Sequence, residues 1–201
     1  MTDEQQNQLR KIRAYASREA VPILQDETGD FICAYIKKHN VRTVLEIGTA
    51  VGYSAIKFAM ADEDVRVTTI ELDLERHLAA KENIARAGLS SRIEAIHADA
   101  LFYDFNGRFF DLIFIDAAKA QYIKFFEKYK ESLAPHGAII SDNLSFHGMV
   151  DDLSLTHNYS TKKLVKKIQK YVDFLRTNPE FTTEFFECGD GISVTRRAQR
   201  A

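Results

Sequence analysis

The sequence lacks any long apolar run and any strong excess of charge of one sign. No apolar stretch approaches the roughly 20 residues that a membrane span needs, and the polar start MTDEQQNQLRK has no apolar segment of the signal-peptide kind. Lysine and arginine number 27 against 29 aspartates and glutamates, a formal net charge of −2. Bulk charge therefore argues against a protein that coats nucleic acid, although a local basic face is still possible. We expect a cytoplasmic protein.

Cysteine is scarce, and repeats and low-complexity tracts are absent. Cys33 and Cys188 are far apart in the sequence and lie in apolar surroundings, so we expect two ordinary core thiols and no disulfide. A chain of 201 residues with 45% hydrophobic and 28% charged residues can bury a substantial core. We predict one domain over residues 1–201, with a helical segment at 1–39 and the core at 40–201.

Apolar runs rich in β-branched residues alternate with helical patterns in the middle of the chain. Strands are predicted at VRTVLEIG, VRVTTIEL, RIEAIHAD, FDLIFID and AIISDN, the last after a turn at 135–137. Helices are predicted near 52–60, 74–87 and 121–133, with Gly88 as the C-terminal cap of the second. Alternation of this kind predicts right-handed βαβ units and a parallel sheet with helices on both faces.

The two ends of the chain follow other patterns. Residues 4–39 are helical in pattern, with a break at Val21-Pro22. After a polar loop at 145–160, which we expect to be mobile, a lysine-rich helix is predicted at 161–176. The β-like runs FTTEFFEC and ISVTRR follow, and only three residues separate them, so they must be antiparallel neighbours. We predict an α/β fold with a seven-stranded, mostly parallel sheet and a C-terminal antiparallel hairpin, which is typical of Rossmann-like methyltransferases.

The first predicted strand runs into a turn that contains two glycines. Gly48 allows a ligand to approach the backbone closely, and Gly52 allows tight packing of the following helix. Their spacing is G-x-x-x-G, and position 50 is alanine, so the dinucleotide fingerprint G-x-G-x-x-G is absent. A nicotinamide dehydrogenase is therefore a distant alternative.

Acids close the first three predicted strands, where ligands bind in open α/β sheets. Glu46 suits a cationic or amine-bearing ligand, and Glu71, 23 residues after Gly48, is placed to accept hydrogen bonds from two ribose hydroxyls. Asp99 and Ala100 end the third strand, where we expect the adenine edge. A single acid at a strand end is often solvated and without function. Acids at three successive strand ends favour a bound ligand, which we predict to be S-adenosylmethionine.

Two further strands deliver oxygen ligands at their carboxyl ends. Asp116 follows FDLIFI, and Asp142 with Asn143 follows GAIIS. Two carboxylates and a carboxamide oxygen suit Mg²⁺, Mn²⁺ or Ca²⁺ rather than structural zinc, and three protein ligands leave positions for water and substrate. The alternative is structural, because acids at strand ends also cap the following helices.

Methyl transfer from a sulfonium needs a deprotonated nucleophile aligned behind the methyl group. A cation chelated by two vicinal substrate oxygens favours the deprotonated hydroxyl and fixes the reacting oxygen in line. Lys119, three residues after Asp116, can act as general base, provided that the cation favours its neutral form.

Four motifs together identify a family. EIGTAVGYS (46–54), TIE (69–71), FDLIFIDAAK (110–119) and DNLSFHG (142–148) resemble the divalent-metal-dependent O-methyltransferases of the catechol and caffeoyl-CoA type, over about residues 14–196. The resemblance implies a Rossmann-like fold, a homodimer, and Lys119 as the catalytic lysine. It implies metal ligation by Asp116, Asp142 and Asn143. It implies cofactor contacts from Leu24, Ser54, Glu71, Asp99, Ala100 and Asp116.

Within that family, the sequence looks most similar to the bacterial enzymes that methylate tRNA 5-hydroxyuridine at the wobble position. The similarity lies in residues 15–24, in DAAKAQY (116–122) and in GDG (189–191). The 5-hydroxyl and 4-carbonyl oxygens of 5-hydroxyuridine are vicinal, so they can chelate a cation as a catechol does. Ser145 and His147 depart from the residues common in related sequences, which leaves substrate preference open, with His147 as a candidate substrate contact.

Basic residues favour tRNA as the partner. Five lysines lie on the helix predicted at 161–176, and such charges suit phosphate contacts around an anticodon loop. Further basic residues are Arg10, Lys11, Arg13, Arg196, Arg197 and Arg200. Two alternatives remain: a solvated amphipathic helix on an O-methyltransferase for small catechol-like phenols, and a cofactor-binding protein without catalysis.

Overall fold

The structure, a computed structural model, describes residues 3–145, 148–150 and 152–198. The helices are α1 Asp3–Arg18, α2 Asp26–Lys38, α3 Tyr53–Ala59, α4 Leu74–Arg86, α5 Tyr122–Tyr129 and α6 Tyr159–Thr177. The strands are β1 Thr43–Ile47, β2 Arg66–Glu71, β3 Ile93–His97, β4 Phe110–Ile115, β5 Leu133–Ser141, β6 Phe181–Phe186 and β7 Ile192–Arg197. Short 3₁₀ helices occupy Lys119–Gln121, Lys130–Ser132 and Leu153–Leu155. Among the described residues, no helix is long and apolar enough to cross a membrane.

The strands form a seven-stranded sheet in the order β3-β2-β1-β4-β5-β7-β6. The pairs β1 with β2, β2 with β3 and β4 with β5 are parallel. The pairs β5 with β7 and β6 with β7 are antiparallel. The predicted fold class, a mostly parallel sheet that ends in an antiparallel hairpin, is confirmed. The chain divides into two compact units, residues 1–106 and 107–201.

The first unit is built around the short strands β1, β2 and β3. Apolar side chains on both faces of β1 and β2 are buried, as expected for parallel strands that are covered on both sides. Helices α3 and α4 contact β2, and α1 contacts α3 and α4 through a buried side that includes Ile12 and Ala16. The predicted break at Val21-Pro22 is confirmed, because α1 and α2 are separated by residues 19–25.

Helix α4 has the ends that its sequence predicts. The carboxylate of Asp73 accepts a hydrogen bond from the backbone N–H of Arg76 at 2.9 Å and caps the first turn. At the other end, Gly88 has φ +67°, and Leu89 N–H donates to the carbonyl of Ile84 at 3.1 Å. This left-handed glycine with a bond back into the last turn confirms Gly88 as the cap.

The second unit packs α5 and α6 through aromatic side chains. Phe126 of α5 is fully buried and meets the rings of Phe174 and Phe181 edge-on, each with ring centroids 5.2 Å apart. Tyr122 and Tyr171 meet in the same way at 5.2 Å. These rings tie α5 to α6 and to the edge strand β6, and edge-to-face pairs add to the stabilisation from the area that they bury.

Strand β5 differs from its prediction. It begins at Leu133, ahead of the predicted turn at 135–137, and its pairing with β4 shifts register: Leu133 lies opposite Phe110, and Ala138 lies opposite Leu112. The extra residues of β5 interrupt the regular pairing, so proline and glycine mark an irregularity within the strand instead of its start. The helix predicted at 121–133 is shorter for the same reason, since its last residues are a 3₁₀ turn and the start of β5.

Candidate active site

Glu46, near the end of β1, is a buried and oriented acid. The side chain is completely shielded from solvent, and the hydroxyl of Thr69 on β2 donates to its Oε2 at 2.6 Å. A further hydroxyl contact of 2.5 Å joins Thr69 to Thr49. Glu46 is therefore oriented by the Thr69 hydroxyl in the interior of the first unit, and it is not a solvated strand-end residue.

The turn after β1 brings its backbone close to neighbouring elements. Gly48 has φ +103°, and its N–H donates to the carbonyl of Ile70 at 3.0 Å. Gly52 has φ +84°, and a Cβ there would lie 3.3 Å from the Cα and Cβ of Ala80 on α4. The prediction that Gly52 permits close helix packing is confirmed. Ala50, between the two glycines, also has a left-handed φ of +45°.

Glu71 links the turn after β1 to the turn after β2. Its Oε2 accepts the N–H of Ala50 at 2.8 Å, and its Oε1 accepts the N–H of Asp73 at 3.0 Å. A carboxylate has about four acceptor positions, so two are still available for the hydroxyls of a ligand. The backbone carbonyl of Glu71 also accepts the N–H of Ala98 at 3.0 Å, which places the start of the turn after β3 beside it.

Four further residues that we predicted as cofactor contacts lie in this unit, with Leu24, Asp99 and Ala100 on loops and Ser54 on α3. Asp99 is half-buried after β3, and its Oδ1 accepts the N–H of Leu101 at 2.8 Å. Ala100 and Ser54 are each 8% exposed. Leu24, also buried, lies between α1 and α2 beside a cavity of about 360 Å³ that Arg13 and Asp26 also line.

A polar cluster fixes the segment that carries Leu24, and the sequence offered no pattern that would have revealed it. The guanidinium of Arg13 on α1 donates to both carboxylate oxygens of Asp26 and to the hydroxyl of Tyr53 on α3. Hydrogen bonding to Arg13 lowers the pKa of Asp26 to about 2. Arg13, which we predicted as part of a basic surface, therefore pairs with side chains of the protein itself.

In the second unit, parallel pairing brings the three predicted oxygen ligands together. Ile115 of β4 lies opposite Ser141 of β5, so the next residues, Asp116 and Asp142, leave the sheet side by side. The N–H of Asp142 donates to the carbonyl of Ile115 at 3.3 Å. The amide Nδ2 of Asn143 donates to Asp116 Oδ1 at 3.4 Å. Residues 27 positions apart in the chain therefore share one site.

The negative charges of Asp116 and Asp142 repel each other. Asp142 is 3% exposed, and burial together with the charge of Asp116 raises its pKa to about 7, against the N–H of Asn143 and the charge of Lys119, which lower it. Burial also raises the pKa of Asp116, and Lys119 lowers it. Lys119 is therefore close enough for its charge to act on both carboxylates.

This donor set fits a hard divalent cation. Two neighbouring carboxylates in a protein interior are costly unless a positive charge compensates them. A half-turn of the Asn143 amide, which leaves its shape unchanged, presents Oδ1 in place of Nδ2. With that half-turn, the second unit offers two carboxylates and one amide oxygen, the ligand types that Mg²⁺ and Mn²⁺ favour. Among the described residues, no group of three or more histidine, cysteine, aspartate or glutamate side chains could hold a metal.

Sequence reasoning missed two residues that act on Asp142, Tyr122 and Asp190. The hydroxyl of Tyr122 donates to the backbone carbonyl of Asp142 at 3.1 Å, and the charge of Asp190 raises the pKa of Asp142 further. Both residues stand in motifs that the sequence shows, DAAKAQY and GDG, but a motif does not reveal which atom its residues contact. The predicted substrate contact His147 lies outside the described residues.

The lysines of α6 form a basic surface. Lys163, Lys166, Lys167 and Lys170 are exposed, and Lys162 is partly exposed, while Val165 and Ile168 bury the opposite side. In the described part of the chain, none of the five lysines has an ion-pair partner, although Lys163 lies 4.5 Å from the ring of Tyr159.

The basic residues of β7 are engaged within the fold. Arg196 pairs with Glu184 at 2.9 Å, and Arg197 donates to the carbonyl of Lys130 at 2.7 Å. Arg200, predicted to extend this basic region, lies outside the described residues.

Comparison with known proteins matches this chain to O-methyltransferases. A family model described as O-methyltransferase matches residues 2–198. A protein of Arabidopsis thaliana that is provisionally named a caffeoyl-CoA O-methyltransferase is 31% identical over 200 residues, which cover 94% of this chain and 84% of that protein.

Solved structures agree with the fold. A crystal structure from Staphylococcus aureus, also provisionally named a caffeoyl-CoA O-methyltransferase, superposes with a TM-score of 0.90 at 38% identity and covers 94% of this chain and 92% of that one. An O-methyltransferase from Bacillus cereus in complex with S-adenosylhomocysteine has a TM-score of 0.81 at 25% identity and covers 96% and 91%.

Proposed function

The chain belongs to the O-methyltransferase family, and from that premise we propose that it methylates one hydroxyl of a small acceptor that carries two vicinal oxygens, with S-adenosylmethionine as methyl donor. The observation that carries the proposal is the cluster of Asp116, Asp142 and Asn143 with the charge of Lys119 beside it. Similarity to proteins named as caffeoyl-CoA O-methyltransferases supports an acceptor of the catechol kind.

The first unit would hold the methyl donor. Gly48 would let it approach the backbone, the free acceptor positions of Glu71 would receive its ribose hydroxyls, and the turn at Asp99 and Ala100 would border its adenine. The remaining contacts in this unit would come from Leu24, Glu46 and Ser54. The complex of the Bacillus cereus relative with S-adenosylhomocysteine supports this choice of donor.

Asp116, Asp142 and Asn143 would hold Mg²⁺ or Mn²⁺. When bound, the cation would lower the pKa of the acceptor hydroxyl and fix the two vicinal oxygens. The Nζ atom of Lys119 would accept the hydroxyl proton. The acceptor oxygen would form the new C–O bond, and the electron pair of the broken S–C bond would stay with sulfur, so that charge and atoms balance.

The test is transfer of labelled methyl to a panel of catechols, including a caffeoyl thioester, with Mg²⁺ and with EDTA. Replacement of Asp142 by Asn keeps the size of the side chain but removes one ligand charge, and we expect activity to fall by about 100-fold or more, which corresponds to roughly 2.7 kcal/mol of the barrier. Binding of S-adenosylmethionine, measured by calorimetry, should persist. The matched control is Asp173→Asn, an exposed aspartate on α6.

Each outcome of this assay decides one part of the proposal. Methyl transfer that EDTA does not reduce would refute the requirement for a cation. Full activity of Asp142→Asn would refute Asp142 as one of its ligands. A protein that binds the donor but methylates nothing on the panel or on tRNA would support a binding function without catalysis.

A second candidate acceptor is 5-hydroxyuridine at the wobble position of tRNA, and the observation that favours it is the lysine surface of α6. Phosphate contacts around an anticodon loop would use these charges. The triple substitution of Lys166, Lys167 and Lys170 by glutamate should reduce methylation of tRNA about tenfold or more and leave transfer to catechols unchanged. Label that enters only catechols would exclude this candidate. The homodimer implied by the resemblance stays a prediction, which light scattering can check.

A further inference from the structure

Asp142 and Asn143 lie just beyond the regular part of β5, so strand pairing alone does not fix them. Asn143 has φ +60°, a left-handed conformation in which the chain turns away from the extended path of the strand. The positions of both side chains therefore depend on what holds the backbone of residues 142–145.

One side of this segment is held by the turn between β6 and β7, residues 187–191. The N–H of Leu144 donates to the carbonyl of Gly191 at 2.8 Å, and the N–H of Ser145 donates to the carbonyl of Asp190 at 2.8 Å. The turn itself is closed by the N–H of Gly191, which donates to the carbonyl of Cys188 at 3.0 Å. Two consecutive backbone bonds fix both the distance and the orientation of the segment that follows Asn143.

The contact requires glycine at position 191. Gly191 has φ +81°, and a Cβ there would lie 2.8 Å from the backbone nitrogen of Ser145 and 3.0 Å from its Cβ. The nearest of these atoms is backbone, which cannot swing aside as a flexible side chain can. A side chain at 191 would therefore push the turn and residues 144–145 apart.

The other side of the segment is held by Tyr122 on α5. Its hydroxyl donates to the carbonyl of Asp142 at 3.1 Å, and the residue is 1% exposed. Its ring packs edge-on against Tyr171, whose hydroxyl lies 2.7 Å from the Oγ of Ser141. Packing thus fixes the position of the Tyr122 ring, and its hydroxyl in turn holds the backbone carbonyl of Asp142.

We propose that the β6–β7 turn and Tyr122 are positioning elements that grip residues 142–145 from two sides and set Asp142 and Asn143 in the geometry that a divalent cation requires. Outer groups that orient metal ligands commonly change metal affinity about 10- to 100-fold when they are altered. This inference rests on the proposed function, because it presupposes that Asp116, Asp142 and Asn143 bind a cation.

The test compares two glycine substitutions with nearly equal backbone strain. Gly107 has φ +82°, and a Cβ there would meet no described atom within 4 Å, whereas Gly191 has φ +81° and backbone at 2.8 Å. Both glycines lie in the second unit, so Gly107→Ala is the matched control for Gly191→Ala. The first measurement is the affinity for Mn²⁺ alone, determined from the electron paramagnetic resonance signal of the free ion. The second is the affinity for S-adenosylmethionine.

We expect Gly191→Ala to weaken Mn²⁺ binding about 10- to 100-fold and to leave the affinity for S-adenosylmethionine unchanged. Gly107→Ala should bind Mn²⁺ within about twofold of the unsubstituted protein, because it shares no contact with the ligand segment. Equal Mn²⁺ affinity in the two variants would overturn the role of the turn.

Tyr122→Phe keeps the inference testable if Gly191→Ala does not fold. Loss of its hydroxyl should weaken Mn²⁺ binding, while Tyr171→Phe, which removes a neighbouring buried hydroxyl that bonds to a side chain instead of to the ligand backbone, should have a smaller effect. Equal losses in the two tyrosine variants would point to general destabilisation and overturn the proposal. Failure of the unsubstituted protein to bind Mn²⁺ would instead overturn the proposed metal site itself.

Discussion

Cys33 shows how burial determines the chemistry of a single side chain. Its thiol donates to the backbone carbonyl of Lys57 at 3.6 Å; neither Cys33 nor Cys188 forms a disulfide, and both are only partly exposed. Burial raises the pKa of Cys33 from 9.0 to about 11, although the charge of Lys57 acts in the opposite direction. The nucleophile in alkylation is the thiolate, so this thiol should be slow to react.

We predict that iodoacetamide alkylates Cys33 at pH 8 about 100-fold more slowly in the folded protein than in urea, since a rise of about two pKa units reduces the thiolate fraction by about that factor. Mass spectrometry of the peptide that contains Cys33 gives the rate. The unfolded chain is its own control. Equal alkylation rates in the folded protein and in urea would show that the Cys33 thiol is not buried and that its pKa is not raised.

At the scale of the secondary-structure element, α6 depends on its N-terminal cap. The side chain of Asn158 accepts the N–H of Thr161 at 3.0 Å, and the first turn contains no acid. Lys162 and Lys163 follow at once, so positive charge accumulates where the helix dipole is also positive. The cap is therefore the main compensation at this end of the helix.

Replacement of Asn158 by Ala should lower the free energy of unfolding by about 0.5–2 kcal/mol, because the N–H of Thr161 loses its acceptor. Asn158→Asp, the matched control, keeps the acceptor and adds a negative charge, so it should be at least as stable as the unsubstituted protein. Urea denaturation measures both. An Asn158→Ala variant of unchanged stability would show that α6 is held by its buried face alone.

At the scale of the whole molecule, the pH dependence of stability has a component from His77. This residue is 7% exposed, its ring lies 5.4 Å from that of His97, and its Nδ1 has no hydrogen-bond partner within the described part of the chain. Burial lowers its pKa below 6.5, the charges of His97 and Lys81 lower it further, and Glu71 opposes them. Protonation is thus less favourable in the folded state than in the unfolded chain.

As the pH falls below about 6.5, the unfolded chain binds a proton at position 77 before the folded protein does. The contribution of His77 to stability is therefore present above that pH and is lost as the pH falls through its lower folded pKa. We predict that His77→Gln loses less stability between about pH 7.5 and 5 than the unsubstituted protein, as measured by urea midpoints. His136→Gln, at an exposed position, should retain the original slope; equal slopes for both variants would exclude His77 as the source.

Local patterns determined much of the fold. Apolar residues recur at every second position in half-buried strands and about every 3.6 positions in helices, and continuous apolar runs mark buried strands, so β1 to β7 and α1 to α6 could be predicted nearly in place. Because ligands bind at the carboxyl ends of parallel strands, the acids that close those strands were candidate site residues from the sequence alone. The register shift in β5 was missed, because a proline and a glycine give the same sequence pattern in a turn and in an irregular strand.

Only the tertiary structure decided which atoms hold the site together. The pairing of Ile115 with Ser141 places Asp116 beside Asp142, and the contact of Gly191 with Ser145 joins residues that are far apart in the chain. No local periodicity encodes such contacts, because they form only when distant segments pack against each other. The sequence by itself determined the elements and the donor residues, whereas packing determined the burial that raises the pKa of Asp142 and the grip on the segment that carries it.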